Sequence, residues 1–355
     1  MSSVKQRVLV WGGILVSLVC LYLVFRSVPV ADLVRELRRI HWFAIIPAVF
    51  FLYLGIYWRG WRWRWLFGGG EHRGKEWVCL EGVFVGYGFN NILPSGRMGE
   101  FARALYVSRK TGERLGFVLG TVVNDRVFDS CAILLLVGMT AAVVFPLPPD
   151  LQVGFGGFEL SSEILNPLFL NLSIGSLMVV VFVLLLLIPG TAKLILSAID
   201  RLPFLPGRVR ESLSQFVAAG FRGLHGVKDL RRLFYVLSFT ALIWGSQAAA
   251  AYALAWAVPG LSMSWAQAVG LMALASVCAA IPAAPGFWGL YEAGIMFSFQ
   301  LLEIHDDPAL ALAYGVTMHL IYYVPTTLVG LIFAFRSALS LRSASELASR
   351  EQPGD

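Results

Sequence analysis

The residues best suited to chemistry are arginines and a carboxylate that follow a stretch beginning at Asn90 and Asn91. Arg97, Glu100 and Arg103 are spaced three residues apart, so on a helix they form one stripe. Guanidinium groups bind phosphate and carboxylate groups through paired hydrogen bonds. We therefore predict an anion-binding site that includes the two asparagines, with Glu100 separating and neutralising the arginines when no ligand is bound. The alternative is an ion-pair network that only lets a polar hairpin pack.

A second charged group, formed by Asp125, Arg126 and Asp129, lies further along the chain. Asp125 and Asp129 share a helix face, and Arg126 can reach Asp129 from three residues away. These three residues join the predicted substrate-binding set. We expect one of the aspartates to pair with Arg97 or Arg103, and a structural role is as well supported as a functional one.

Glu292 is the lone acid of a second proline- and glycine-rich stretch, residues 281–292, with no basic residue nearby in sequence. An unpaired carboxyl group in an apolar setting tends to be protonated, which makes Glu292 a candidate proton-coupling site. The alternative is a carboxylate that caps a half-helix. His319, Tyr322 and Tyr323 are predicted to line the same cavity.

Tryptophan and arginine alternate near the end of the predicted second span. Aromatic rings lie at headgroup level and arginines attract anionic lipid, so a membrane-interface anchor is the favoured interpretation. A sharper interpretation assigns Arg59, Trp61 and Arg62 to a headgroup-collecting site at the mouth of the first hairpin.

Apolar helices must position these charges, because the chain is 57% hydrophobic and only 14% charged. Its mean hydropathy of +0.71 excludes a water-soluble domain. A span takes about 20 residues, and helix is the only structure that satisfies the backbone of such segments. We predict an all-α integral membrane protein with six full spans, at residues 8–25, 42–58, 115–145, 164–189, 231–257 and 309–336.

The two glycine- and proline-rich stretches predict broken helices within two re-entrant hairpins, residues 76–110 and 265–302. Proline removes a helical donor, and glycine permits backbone angles that other residues avoid. The predicted breaks lie at Pro94, Gly96 and Gly99, and at Pro285, Gly286 and Gly289. The pseudo-halves, about 8–145 and 164–336, then have opposite orientation, and such inverted repeats are typical of transporters. The alternative is a pair of loops between ordinary spans.

The distribution of basic residues predicts the topology. Residues 146–163, 257–264 and 303–308 contain no lysine or arginine, whereas residues 190–232 contain eight. Cytoplasmic loops carry excess positive charge, so both termini are predicted to be cytoplasmic in a multi-pass protein of the inner (plasma) membrane. We predict a single transmembrane domain, residues 1–337, followed by a cytoplasmic polar tail, residues 338–355.

Several other patterns have a structural interpretation or none. Residues 31–40 have helical apolar spacing and predict an amphipathic surface helix. The steps from Gly82 to Gly86 and from Gly116 to Gly120 are predicted to let helices pack closely. No metal, nucleophile or cofactor motif occurs, so we expect neither an enzyme nor a cofactor-binding or metal-binding protein.

Taken together, the motifs resemble the lysylphosphatidylglycerol synthase transmembrane family. The resemblance rests on residues 94–100 with Arg103, on residues 124–126 with Asp129, on the basic-aromatic end of span 2 and on residues 285–292, and it extends over residues 8–336. It implies translocation of lipids between leaflets. Because no soluble aminoacyl-transfer domain is present, it argues against lipid synthesis.

The predicted function is a flippase or transporter that moves a polar or anionic lipid between leaflets of the bacterial inner membrane. The predicted partners are membrane lipids with an anionic or zwitterionic headgroup, and a lipid-synthesising enzyme is a further candidate; nucleic acid is not. The alternatives are a small-solute transporter, which needs a closed aqueous cavity, and a non-transporting scaffold for a lipid- or glycan-synthesising enzyme.

Overall fold

A computed structural model describes residues 3–67, 75–93, 98–144, 146–149, 151–155, 158–187, 197, 230–280 and 284–350. Three of the predicted site and break residues, Pro94, Gly96 and Arg97, lie outside these ranges. So do most of the basic segment 190–230 and the last five residues of the tail.

The described chain is almost entirely helical. In chain order its helices are α1 (Ser3–Ser27), α2 (Val30–Arg39), α3 (Ile46–Leu66), α4 (Glu76–Ile92), α5 (Met98–Thr111), α6 (Leu115–Val144), α7 (Ser162–Leu187), α8 (Leu230–Ala255), α9 (Trp265–Ala280), α10 (Leu290–Leu301) and α11 (Pro308–Arg350). Short 3₁₀ turns occur at Trp42–Ile45 and Pro285–Phe287. The described residues also contain an antiparallel β-hairpin of β1 (Gln152–Phe155) and β2 (Phe158–Ser161), which the predicted all-α architecture did not include.

Apolar helices long enough to cross a membrane support a multi-pass membrane protein. Within the described ranges four qualify by length and composition: Trp42–Leu66, Leu115–Val144, Arg231–Ala255 and Pro308–Ala338. The pair Trp11–Ser27 and Val30–Arg39, bent by 82°, makes a fifth if it counts as one broken span. The sequence predicted six; α7 covers the predicted fourth span but is not one of these four or five.

The second span is longer than the sequence predicted. We expected it to end at Trp58, because Arg59 and Arg62 lower the hydropathy beyond that point. The helix instead continues to Leu66, and both arginines lie within it, with exposed fractions of only 7% and 0%. Carboxylates from another helix pair with both arginines there, which removes the electrostatic reason for the span to end.

Helices from the two halves of the chain pack on each other. α3 packs against α8 at the centre, and the hairpin pairs α4–α5 and α9–α10 are both formed. Each hairpin also contacts a long helix of the other half, α4 against α11 and α9 against α6. These contacts join each hairpin to the opposite half of the chain.

Glycines permit the closest of these contacts. A Cβ atom on Gly82 would meet Trp63 at 2.9 Å, and one on Gly86 would meet Arg103 at 3.1 Å, so this predicted packing step is confirmed. The prediction for Gly116 and Gly120 is not supported, because a Cβ atom on either would meet no atom of the described residues within 4 Å. Spacing alone did not distinguish a packed glycine pair from an open one.

Candidate functional site

A buried network of arginines and carboxylates joins α3, α5 and α6. Seven side chains form it: Arg59, Arg62, Arg103, Arg126, Glu100, Asp125 and Asp129. Charges inside a membrane protein are expensive and are usually paired or functional. With four positive and three negative groups, the formal net charge of the network is +1.

Arg62 is the centre of the network and has no exposed surface. Its Nε donates to Asp125 Oδ1 at 2.9 Å, and its Nη2 donates to Asp129 Oδ1 at 2.7 Å. The remaining Nη1 donates to Thr240 Oγ1 on α8 at 3.1 Å. Arg62 therefore ties both aspartates of α6 to the central pair α3 and α8.

Arg103 makes the contact that the sequence predicted between the first hairpin and α6. Its Nη1 lies 3.1 Å from Asp125 Oδ2, and its Nε lies 2.7 Å from Glu100 Oε2. The guanidinium group stands over the ring of Trp63, 4.8 Å from the ring centroid. These contacts hold α5 against α3 and α6.

Arg59 and Arg126 form the side of the network that faces a cavity. Arg59 Nη1 lies 2.6 Å from Asp129 Oδ2, and Arg126 bridges Glu100 Oε1 at 2.9 Å and Asp129 Oδ2 at 3.2 Å. The Arg126–Asp129 pair is the one that their three-residue spacing predicted. Among the described residues, the buried Nε groups of both arginines and Nη2 of Arg103 have no hydrogen-bond partner. Arg59 and Arg126 line the cavity, so an anion or water bound there can supply the missing partner for their donors.

The headgroup-collecting interpretation of Arg59, Trp61 and Arg62 needs correction. Arg62 is fully buried among its partners, so it cannot contact headgroups at the membrane surface. Arg59 is also buried, and it lines the cavity rather than the mouth of the first hairpin. Trp61 alone is half-buried at the outside of α3, where its ring contacts Phe239.

A cavity of about 750 Å³ adjoins the network. Its polar lining includes Arg59, Glu100, Arg126, Asp129, Asn90 and Asn91. Its buried apolar lining includes Leu52, Ala251, Leu271, Ile295, Tyr314 and Met318. The end of α4 before the first predicted break lines it through Asn90 and Asn91, and the second break lines it through Gly286.

Along α3 and α8, apolar lining residues are separated from the lining at Arg59. On α3, Leu52 precedes Arg59 by seven residues, which is about 10 Å along a helix. On α8, Trp244 stacks near Arg59 at 5.7 Å, and Ala251 lies two turns further on. Ala251 accepts a hydrogen bond of 2.7 Å from the Tyr314 hydroxyl on α11. The cavity therefore has an arginine end and an apolar end about 10 Å apart.

The first break is organised by its two asparagines. Asn90 Oδ1 accepts a hydrogen bond from the backbone N–H of Gly99, at the start of α5, at 2.9 Å. Asn91 Nδ2 donates to Thr327 Oγ1 on α11 at 2.8 Å. Gly99 leaves no space for a side chain, because a Cβ atom there would overlap Asn90 and the Gly86 carbonyl oxygen.

The second break contains two glycines with left-handed backbone angles. Gly286 has φ +72° and Gly289 has φ +82°, so the predicted interruption at these residues is present. The expectation that Glu292 is unpaired is wrong. Its Oε2 accepts from the Gly289 N–H at 2.7 Å, which is the capping alternative, and its Oε1 lies 2.6 Å from His319 Nδ1. The two residues are 27 positions apart, so local sequence contained no sign of the pair.

A comparison with models of protein families identifies the family of the chain. The family model described as the lysylphosphatidylglycerol synthase TM region matches residues 10–330. The chain belongs to this family. No curated protein and no solved structure matches it significantly.

Membership of the lysylphosphatidylglycerol synthase transmembrane family makes the chain a multi-pass membrane protein of a lipid-related family. The match covers both breaks, the arginine network and every helix that lines the cavity. In this family member, no group of three or more His, Cys, Asp or Glu side chains that could hold a metal ion occurs within the described ranges. The network consists instead of arginines and carboxylates bound to one another.

Replacing Gly289 by alanine is expected to reduce the free energy of unfolding of this family member by about 1–2 kcal/mol, because an L-residue at this φ is strained. The new Cβ atom would also lie 2.7 Å from the backbone of Ser17 and Leu21 on α1. Thermal unfolding in detergent measures the change. Gly245→Ala is the control, since Gly245 has no atom within 4 Å of a Cβ. Equal stability of the two variants would contradict the strained break.

Proposed function

We propose that the chain moves a membrane lipid with a phosphate-bearing headgroup, anionic or zwitterionic, between the leaflets of the inner membrane. The observation that carries the proposal is the cavity, which joins a network of net charge +1 to an apolar end. Guanidinium groups are suited to phosphate, and the unpartnered N–H groups beside the cavity gain a partner when an anion binds.

The presence of both an arginine end and an apolar end in the cavity favours a lipid over a small polar solute as the substrate. A polar solute needs hydrogen-bonding groups on all sides, whereas Leu271, Ile295 and Met318 offer none through their side chains. A lipid presents both a charged headgroup and hydrocarbon, and these match the arginine end and the apolar end. The size, about 750 Å³, suits a headgroup with the adjoining part of its chains.

The arrangement of helices supports transport by an inverted repeat. In the proposal, α3 corresponds to α8, the hairpin α4–α5 to α9–α10, and α6 to α11. Each half contributes one break to the cavity, as expected when two halves rock around a central site. With both termini cytoplasmic, outward movement of an anion is assisted by an inside-negative potential, by about 2.3 kcal/mol per charge per 100 mV.

We propose a carrier and not an enzyme. The charged side chains of the site hold one another in ion pairs, and Arg62 has every guanidinium nitrogen engaged. Such groups bind and release an ion without needing a covalent step. A lipid-synthesising enzyme remains a candidate partner that would supply the lipid.

Arg126→Gln is expected to slow headgroup translocation roughly tenfold or more, because it removes a charge-assisted hydrogen bond worth about 1.5–3 kcal/mol. Arg126 is chosen because 41% of its side chain is exposed and it lines the cavity, so its loss perturbs packing less than that of a buried arginine. Proteoliposomes with fluorescent anionic and zwitterionic lipids report leaflet accessibility. Arg97→Ala tests the sequence-predicted arginine in the same assay.

Arg35→Gln is the matched control, since Arg35 is 63% exposed on α2 and lies outside the cavity. Transport that falls in Arg126→Gln and not in Arg35→Gln supports the proposal. Wild-type rates equal to those of empty liposomes for every lipid would reject it in favour of the scaffold. Competition by a water-soluble phosphate ester without lipid movement would favour the small-solute transporter.

A further inference from the structure

We propose that His319 is a second headgroup contact, held by Glu292 so that its Nε2 atom accepts a hydrogen bond from an N–H or O–H of the lipid. This inference rests on the proposed function and names the headgroup chemistry that the same cavity selects. The lipids it favours carry a donor on a short arm beyond the phosphate, such as a primary ammonium or a hydroxyl.

The position of the imidazole ring is set by contacts on three sides. Nδ1 lies 2.6 Å from Glu292 Oε1, and the other carboxylate oxygen is held by the Gly289 N–H. The rings of Trp288 and Tyr291 lie 4.3 and 4.9 Å from the imidazole, centroid to centroid. His319 and Glu292 are both buried, so the ring has little freedom to rotate.

The carboxylate decides which ring nitrogen carries the proton. In the proposal, Glu292 is an ionised carboxylate, which only accepts hydrogen bonds, and His319 is neutral; Nδ1 is then the donor and Nε2 is left as an acceptor. His319 lines the cavity, and no described residue bonds to Nε2. A fixed acceptor at this point of the cavity provides selectivity for a headgroup that can itself donate.

The acceptor and the arginine end line the same cavity. His319 is one turn of α11, about 4.5 Å, from Tyr322. The ring of Tyr322 lies 5.6 Å from that of Tyr87, and both tyrosines line the cavity. In the proposal, a phosphate binds at Arg59 and Arg126, and an ethanolamine or glycerol arm reaches His319 across the shared cavity. A trimethylammonium group has no N–H, so it cannot make this contact.

The test measures binding of short-chain lipids to the purified full chain in detergent, so it does not depend on transport. The probes are dioctanoyl phosphatidylethanolamine, phosphatidylcholine and phosphatidylglycerol. Wild type is expected to bind the ethanolamine lipid about three- to tenfold more tightly than the choline lipid, the value of one hydrogen bond. The glycerol lipid should also bind tightly, because a hydroxyl can donate or accept.

Two variants separate the acceptor role from a structural one. In Glu292→Gln the amide can donate to Nδ1, which moves the ring proton to Nε2 and turns the acceptor into a donor. The ratio of the affinities for the ethanolamine and choline lipids should fall to about one. The affinity for the glycerol lipid should stay within about twofold of the wild-type value. In His319→Asn the amide retains the bond to Glu292 but lacks Nε2, so both the ethanolamine and glycerol lipids should weaken to the level of the choline lipid.

Equal wild-type affinity for the ethanolamine and choline lipids would overturn the inference and leave the proposed function standing. Variants that weaken all three lipids alike would also overturn it, since that result indicates a structural role for the pair. Failure of wild type to bind any of the three lipids would overturn the inference and the proposed function together.

Discussion

Replacing Arg62 by methionine is expected to reduce the free energy of unfolding by about 3–5 kcal/mol, the usual cost of removing one partner from a buried ion-pair network. Arg62 has no exposed surface and makes hydrogen bonds to Asp125, Asp129 and Thr240. Its loss changes the formal net charge of the network from +1 to zero. It leaves two buried carboxylates, however, with fewer donors than they need. Methionine keeps the unbranched stem but lacks the terminal guanidinium atoms, so the lost ion pairs and the space left at this buried position both contribute.

Chemical unfolding in detergent measures this change. Arg35→Met is the control, because Arg35 is 63% exposed and such exposed pairs contribute about 0–1 kcal/mol. Arg62→Lys should recover little, because a single ammonium cannot match the fork that reaches three partners at once. A loss below about 1 kcal/mol in Arg62→Met would show that the network does not hold α3, α6 and α8 together.

Replacing Gly330 by valine is expected to cost about 3 kcal/mol, the upper part of the range for overpacking. A Cβ atom on Gly330 would lie 3.1 Å from the Cα of Gly88 and would overlap the carbonyl oxygen of Phe84. Both obstacles are backbone atoms of α4, so no side-chain rotation relieves the contact. α4 must move away from α11, and the hydrogen bond between Asn91 and Thr327 must lengthen or break.

Gly120→Val is the control, since a Cβ atom at Gly120 on α6 meets no atom of the described residues within 4 Å. Unfolding in detergent should separate the two variants by more than about 2 kcal/mol. Because Asn90 and Asn91 line the cavity, Gly330→Val should also weaken lipid binding, whereas Gly120→Val should not. Similar stability of the two variants would contradict a close α4–α11 crossing.

Local rules were sufficient for much of the site. Glu100 and Arg103 are three residues apart, and so are Arg126 and Asp129. This spacing predicted both ion pairs, and the structure contains both, because helix geometry alone sets which side chains are neighbours on a helix face. The break at Gly286 and Gly289 followed from the backbone freedom of glycine, and both residues have positive φ. The membrane character followed from hydropathy.

Ion pairs between residues that are far apart in sequence could not be predicted from helical spacing. From the sequence, Arg59 and Arg62 were interpreted as the polar end of a span. Their partners were not recognised because they lie 63 to 70 residues away on α6. Glu292 read as unpaired for the same reason. Thr240 and Trp244 on α8, which contact the two arginines, had no recognisable signal, since threonine and tryptophan are ordinary residues in a membrane helix.

The sequence by itself determined that this chain is a helical membrane protein of a lipid-related family, that two breaks interrupt its helices and that arginines and carboxylates gather near the first. These properties depend on composition and on spacings of a few residues. Only the tertiary structure decided which charges meet, that Glu292 binds His319 and that an arginine end and an apolar end share one cavity. The physical reason is that ion pairing and burial depend on how α3, α6, α8 and α11 pack, and packing joins residues that are remote in sequence.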